Sequence, residues 1–103
     1  MKKEGYIVVT FKFQKEGRKW TAYCEELGTA SFGRSIQEAY EKIKEATLLH
    51  LNTLEELGER ERFFRENNIT FYPYKPKKIT GKFDTNTFTR PFIYHVLKEK
   101  FAI

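Results

Sequence analysis

The sequence has little cysteine and no long apolar run. Its one cysteine, Cys24, excludes an intramolecular disulfide framework and favours a reducing compartment. No window approaches the roughly 18–20 continuous apolar residues that a membrane span needs. The first ten residues begin with lysines but contain only a brief apolar run, so we expect no signal peptide. These absences predict a cytoplasmic protein without a membrane segment.

The sequence also lacks the usual signatures of catalysis. Gly33-Arg34-Ser35 offers one glycine and one arginine, whereas a Walker-type phosphate loop needs several glycines and a lysine. The predicted strands contain no Asp or Glu, although Glu25 and Glu26 near a strand end leave a weak hypothesis of a remnant hydrolase. Cys24 and His50 do not form a recognisable set of metal ligands. We therefore expect no enzyme activity, no metal and no cofactor.

The charge of the chain is unevenly distributed. The 103 residues carry a net charge of +5, and 32% of them are charged, which is typical of one soluble globular domain. Residues 1–69 contain 12 Lys and Arg against 12 Asp and Glu, whereas residues 70–103 contain 7 against 2. A basic end of this kind suits nucleic acid or an acidic protein surface, and it is also compatible with a solvated tail.

Alternating apolar residues predict three antiparallel strands at the start of the chain. Residues 6–13 alternate in the manner of a half-buried strand, and residues 20–24 repeat the pattern after a polar turn that contains Gly17. A short third run covers residues 29–32 and ends at Gly33. We expect these strands to form a meander.

A long amphipathic helix is predicted over residues 35–57. Its apolar positions recur at helical spacing, and Glu38, Glu41 and Glu45 lie on the opposite side. Ser35 and Glu38 have the spacing of a capping box, in which the serine hydroxyl accepts from the Glu38 amide and the Glu38 carboxylate accepts from the Ser35 amide. Gly58 is suited to end the helix, and residues 59–66 predict a short second helix.

The last third of the chain predicts one strand and a basic arm. Residues 69–74 have the pattern of a strand that Pro73 confines to an edge or an end. Residues 75–83 are either an extended linker or one more edge strand. Residues 75–103 together are expected to form an arm with a terminal helix from about Arg90, whose apolar stripe is Ile93, Val96, Leu97 and Phe101. The predicted fold is α+β: a mainly antiparallel sheet of three to four strands in the order β-β-β-α-β, with one long helix on one face. The predicted domains are 1–74 and the arm 75–103.

Two sets of residues are candidates for binding. Exposed apolar side chains on the helices commonly mark a partner surface. Together with the acidic side of the long helix they give the first set: Glu38, Glu41, Glu45, Leu48, Leu49, Phe63 and Phe64. The second set would bind nucleic acid through the basic arm and comprises Lys75, Lys77, Lys78, Lys82 and Arg90.

The order of these motifs resembles the HicB-like antitoxin family over roughly residues 5–72. The segments that carry the resemblance are Glu26-Leu27-Gly28 at a turn, then Gly33, Ser35, Glu38 and Ala39 at the helix entry, and Glu45-Ala46 further along the helix. The sequence departs from the family pattern because the turn lacks prolines and Arg34 replaces the usual aspartate. Its tail also has room for one helix rather than a DNA-binding module.

The resemblance implies a partial ribonuclease H-like fold without the catalytic carboxylates of that fold. It implies a function in which the protein binds and masks a HicA-like toxin that cleaves messenger RNA. Family members commonly form homo-oligomers, so a dimer or tetramer is expected. The alternative hypothesis is a nucleic-acid-binding or orphan regulatory module that uses the basic arm.

Overall fold

The computed structural model describes residues 4–77, 87–97 and 100–103. The chain is an α+β protein in which two helices lie against a six-stranded sheet formed by the described residues. The strands are β1 (Gly5–Glu16), β2 (Lys19–Cys24), β3 (Ala30–Gly33), β4 (Phe71–Tyr72), β5 (Thr87–Leu97) and β6 (Lys100–Ala102). The helices are α1 (Ile36–Glu56) and α2 (Arg60–Glu66).

The sheet is antiparallel in every pairing that the structure describes. The strand order is β3-β2-β1-β5-β6, and β4 pairs with the beginning of β1. The three-strand meander predicted from the sequence is confirmed. Strand β1 is the centre of the sheet because β5 pairs with it from Gly5 to Gln14, while β2 pairs from Phe11 to Glu16.

The prediction of a terminal helix is wrong. Residues 87–97 form β5, and residues 100–102 form β6, so these two parts of the predicted arm belong to the same sheet as β1. The helical interpretation grouped Ile93 with Val96 and Leu97, but the structure follows a period of two in which Tyr94 and Val96 are buried. The run from Phe92 to Val96 is rich in aromatic and β-branched residues, which favour strands. The predicted count of three to four strands was too low for the same reason.

The core lies between α1 and one face of the sheet. It is filled by alternate residues of β1 (Ile7, Val9, Phe11 and Phe13), which are fully buried, and by Ala39, Ile43 and Leu51 of α1. Tyr94 is also fully buried, and its hydroxyl donates to the carbonyl of Lys44 at 3.2 Å. The core therefore depends on β5 as much as on the meander.

The start and the end of α1 follow the predicted motifs with one change. The Ser35 hydroxyl accepts from the Glu38 amide at 3.1 Å, as expected for a capping box. The Glu38 carboxylate accepts from the amide of Arg34 at 3.1 Å, one residue before the predicted donor. Leu57 closes the helix, and Gly58 takes a φ of 68°, which favours glycine.

Candidate partner-binding surfaces

The acidic side of α1 faces solvent. Glu38, Glu41 and Glu45 are all exposed, and α1 contains five glutamates against two lysines in a chain of net positive charge. Lys42 lies 3.7 Å from Glu38, and Lys44 lies 3.4 Å from Glu41. The Lys42–Glu38 pair is exposed, and such a pair contributes about 0–1 kcal/mol, so a partner's cation can replace Lys42 at little cost. The Lys44 side chain is 18% exposed, but the Glu41 side chain beside it is 55% exposed and accessible to a partner. The exposed side of α1 therefore presents a negative surface that a partner's cations can contact.

The predicted apolar partner residues divide between core and surface. Leu49 is 70% exposed, as predicted. Leu48 and Phe63 are half-buried and pack against the core. Phe64 is only 6% exposed, and its ring packs edge-on against Phe101 at 6.1 Å. The prediction that Phe64 faces outward is wrong because β6, which the sequence did not reveal, supplies the surface that covers it.

The predicted basic residues do not form one cluster in the described structure. Lys75 and Lys77 are exposed and follow β4. Lys78 and Lys82 lie outside the described residues. Arg90 is on β5, and its guanidinium lies over the ring of Tyr40 at 4.8 Å, where Lys44 approaches the same ring at 4.7 Å. Arg90 therefore has a structural contact with the start of α1 and is separated in the sheet from β4 by β1.

The sequence predictions missed the sheet face opposite α1, which we call the open face. On β1 it presents Tyr6, Val8, Thr10 and Lys12, which are half-buried and alternate with the core residues. The register places Ile93 beside Val8 and His95 beside Tyr6 on β5. Neither described helix covers this face. The signal in the sequence was the apolar character of Tyr6 and Val8 at positions where a solvated strand usually has polar residues.

A row of aromatic rings crosses one end of the open face. The His95 ring stacks on Tyr6 with centroids 4.3 Å apart and planes within 8°. Tyr72 is the cross-strand partner of Tyr6, and its ring contacts Tyr74 at 6.4 Å. Tyr74 is 66% exposed and directly precedes Lys75. The row therefore combines aromatic rings with Lys75, which follows Tyr74 in the chain, and with the Glu4 carboxylate, which lies 3.7 Å from His95.

Glu26 binds the backbone and side chain of Thr10 on β1. Its carboxylate accepts from the backbone amide of Thr10 at 2.7 Å and from the Thr10 hydroxyl at 3.0 Å. Thr10 lies between the β1 residues that pair with β4 and those that pair with β2. The carboxylate therefore satisfies a strand amide at a gap in the sheet.

Cys24 and His50 are both packed inside the structure. Cys24 is fully buried, and burial raises the pKa of its thiol to about 12, with a smaller contribution from the nearby Glu26 carboxylate. A thiol of this kind is a poor nucleophile at neutral pH. The Nε2 atom of His50 is buried without a hydrogen-bond partner among the described residues, and its ring meets Phe63 edge-on at 5.6 Å.

The residues at the start of α1 are arranged around the helix cap. A Cβ added to Gly33 would lie 2.7 Å from the amide nitrogen of Ala39 and 2.8 Å from Cβ of Glu38. Gly33 is therefore needed because α1 begins directly against β3. The capping bonds of Ser35 and Glu38 use two amides that a phosphate would otherwise contact.

Comparisons with known proteins give no relative. No family model, no curated protein and no solved structure matches the chain. In the described ranges, no three His, Cys, Asp or Glu side chains come together as a metal-binding group. Neither helix of the described chain has the length and apolarity needed to cross a membrane.

Proposed function

We propose that this protein is a non-catalytic, HicB-like antitoxin-type protein that binds and masks a HicA-like, RNA-cleaving toxin. The observation that carries the proposal is the acidic side of α1. A nuclease that binds RNA needs a basic surface, and a rigid helix with surplus glutamates is complementary to such a surface. The β-β-β-α order and the cap of α1 at Ser35 and Glu38 support the family resemblance on which the partner is proposed.

Glu38 and Glu41 are the residues proposed to contact the toxin. Both side chains are exposed, and each carboxylate lies near a lysine of the same helix. Glu38 also accepts from the Arg34 amide of the cap, whereas Glu41 accepts only from the exposed side chain of Gln37 at 2.9 Å. Glu45 is also exposed, but it lines a groove beside β3 with Lys42 and Leu49. We therefore assign the toxin contact to the outer side of α1 and test it at Glu41, which takes no part in the helix cap.

The test is inhibition of a small basic HicA-like ribonuclease encoded beside this protein. We expect one equivalent of the chain to suppress RNA cleavage, and Glu41→Lys to lower the association rate by about tenfold at low salt. Glu56→Lys is the matched control because it makes the same charge change on α1 near its end. No binding to the toxin at micromolar concentration would overturn the proposal. Equal association rates for the parent and Glu41→Lys at low salt would contradict the assignment of the contact to Glu41 and the outer side of α1.

The aromatic row supports a second candidate function, the binding of single-stranded nucleic acid. Tyr6, His95, Tyr72 and Tyr74 offer ring faces for stacking, and Lys75 and Lys77 follow them in the chain. Stacking on such rings contributes about 1–3 kcal/mol per base.

Binding of a fluorescent single-stranded oligonucleotide tests this candidate. Affinity should fall steeply with salt. It should also fall in Tyr74→Ala, whereas the control Tyr23→Ala changes an exposed tyrosine of β2 outside the row. Absent or salt-insensitive binding would exclude this function.

A further inference from the structure

Strand β3 is an edge of the described sheet with free backbone groups. The Cys24 amide donates to the carbonyl of Thr29 at 2.9 Å, and the register continues with Ala22 opposite Ser31. Hydrogen-bonded and non-bonded pairs alternate along an antiparallel ladder. The N–H and C=O groups of Ala30 and Phe32 therefore point away from β2 toward the edge. An edge of this kind is a template for pairing with another strand.

The groove above this edge carries both signs of charge. It is lined in part by Ser31 of β3 and by Lys42, Glu45, Ala46 and Leu49 of α1. Leu49 is 70% exposed, so an apolar side chain lies at the rim of the groove in the isolated chain. An occupant that fits this site pairs with a strand, places a positive charge beside Glu45 and places a negative charge beside Lys42, which also lies 3.7 Å from Glu38.

Two contacts show which residues of α1 lie beside which residues of β3. Gly33 lies against Ala39, and the hydroxyl of Thr29 lies 3.4 Å from that of Thr47. Helix α1 therefore runs antiparallel to β3 alongside it. Ser31 is the middle of residues 29–33, so it lies beside the middle of residues 39–47 of α1. Along α1, Lys42 lies before the middle of residues 39–47 and Glu45 lies after it.

We propose that two copies of this chain associate by antiparallel pairing of their β3 strands around a two-fold axis through Ser31. Ala30 of each copy then pairs with Phe32 of the other, through the backbone groups that face the edge. Because Lys42 and Glu45 lie on either side of the axis, Lys42 of one copy faces Glu45 of the other, and the pair occurs twice. The surface is self-complementary, as a two-fold interface requires.

Side-chain sizes and helix spacing agree with this arrangement. The exposed Phe32 ring of each copy meets Ala30 of the other, so a large side chain packs on a small one. Helix α1 packs over β2 and β3. With strands ~4.8 Å apart, the two α1 axes run roughly 10 Å apart. Packed helices lie about 8–10 Å apart, so both the strands and the helices are in contact distance.

This inference does not depend on the proposed toxin, and its test uses the chain alone. Sedimentation equilibrium of the full chain should show a dimer. Glu45→Lys and Lys42→Glu each place like charges across the axis, so each should raise the dimer dissociation constant by about tenfold or more. The double variant restores opposite charges and should return the constant to within about threefold of the parent, since only a cross-subunit pair is rescued in this way.

Two further variants keep the test independent of folding. Ala30→Pro removes an amide that faces the edge at the first residue of β3, where proline is tolerated, so it should give a folded monomer. Glu56→Lys makes the same charge change beyond the groove and should leave the dimer unchanged. Circular dichroism confirms that each variant is folded. A monomeric parent at millimolar concentration, or a dimer that the single and double charge variants leave unchanged, would overturn the proposal.

Discussion

The backbone amide of Thr10 donates to Oε1 of Glu26 across a gap between β2 and β4. The two residues are 16 positions apart, and the carboxylate takes the place of a neighbouring strand at this point of β1. Glu25 adds a second bond, from its amide to the carbonyl of Thr10 at 3.2 Å. The turn after β2 therefore supplies the hydrogen-bond partners of the Thr10 backbone, where none of the described strands lies beside β1 on this side.

Replacement of Glu26 by alanine should destabilise the fold because it leaves the Thr10 amide without its acceptor. Hydrogen bonds to charged groups contribute about 1.5–3 kcal/mol, so the free energy of unfolding should fall by that order in urea denaturation. Glu25→Ala is the control, since it removes an exposed side chain and keeps the backbone bond. Equal stability of Glu26→Ala and Glu25→Ala would contradict this role for the carboxylate.

The stability of the protein should fall at alkaline pH through Cys24. Burial raises the pKa of the Cys24 thiol in the folded chain from the ordinary value of 9.0 to about 12. Between pH 9 and 12 the unfolded chain loses this proton and the folded chain keeps it, so the unfolded state is favoured as pH rises. The slope is up to about 1.4 kcal/mol per pH unit.

Urea denaturation at a series of pH values checks this expectation. Cys24→Ala removes the thiol, so its unfolding free energy should fall less steeply above pH 9 than that of the parent. Burial is the largest cause of the raised pKa of the Tyr94 hydroxyl, and that burial remains in the variant, whereas the smaller contribution of Cys24 is lost with the thiol. Identical alkaline slopes in the two proteins would show that Cys24 does not contribute.

The side chain of Tyr94 should be essential for folding, because β5 is part of the core. Tyr94→Ala removes a fully buried ring and should cost about 3–5 kcal/mol. Tyr94→Phe keeps the ring and removes the hydroxyl with its bonds to the Lys44 carbonyl and the Thr47 side chain, and it should cost about 0.5–1.5 kcal/mol for each bond lost. Thermal denaturation of both variants separates packing from hydrogen bonding. A fully stable Tyr94→Ala would mean that β5 is dispensable.

Gly33 should not tolerate a larger residue. In Gly33→Ala the new methyl group would collide with the backbone of Ala39, at the point where α1 packs closely against β3. We expect a loss of about 1–3 kcal/mol as the helix start moves away from the strand. Gly17→Ala is the control because its Cβ meets open space, although its φ of 62° still adds about 1 kcal/mol of strain. Equal losses at the two positions would argue against the close approach.

The elements whose signals are local could be predicted from the amino-acid sequence. The alternation in residues 6–13 predicted β1, and the spacing of Ser35 and Glu38 predicted the start of α1, because side-chain period and capping bonds depend on neighbours a few positions apart. The exposure of Glu38, Glu41 and Glu45 followed from the same helical period.

The structure of the last described residues could not be predicted from their local pattern. The apolar residues Ile93, Val96, Leu97 and Phe101 fit a helical period, yet residues 87–96 pair with β1 and residues 100–102 pair with β5. That pairing buries Tyr94, while β6 covers Phe64. It also places His95 on Tyr6 and leaves β3 as an edge. Contacts between residues far apart in the chain fix these features, and a local pattern carries no information about which distant strand supplies the partner.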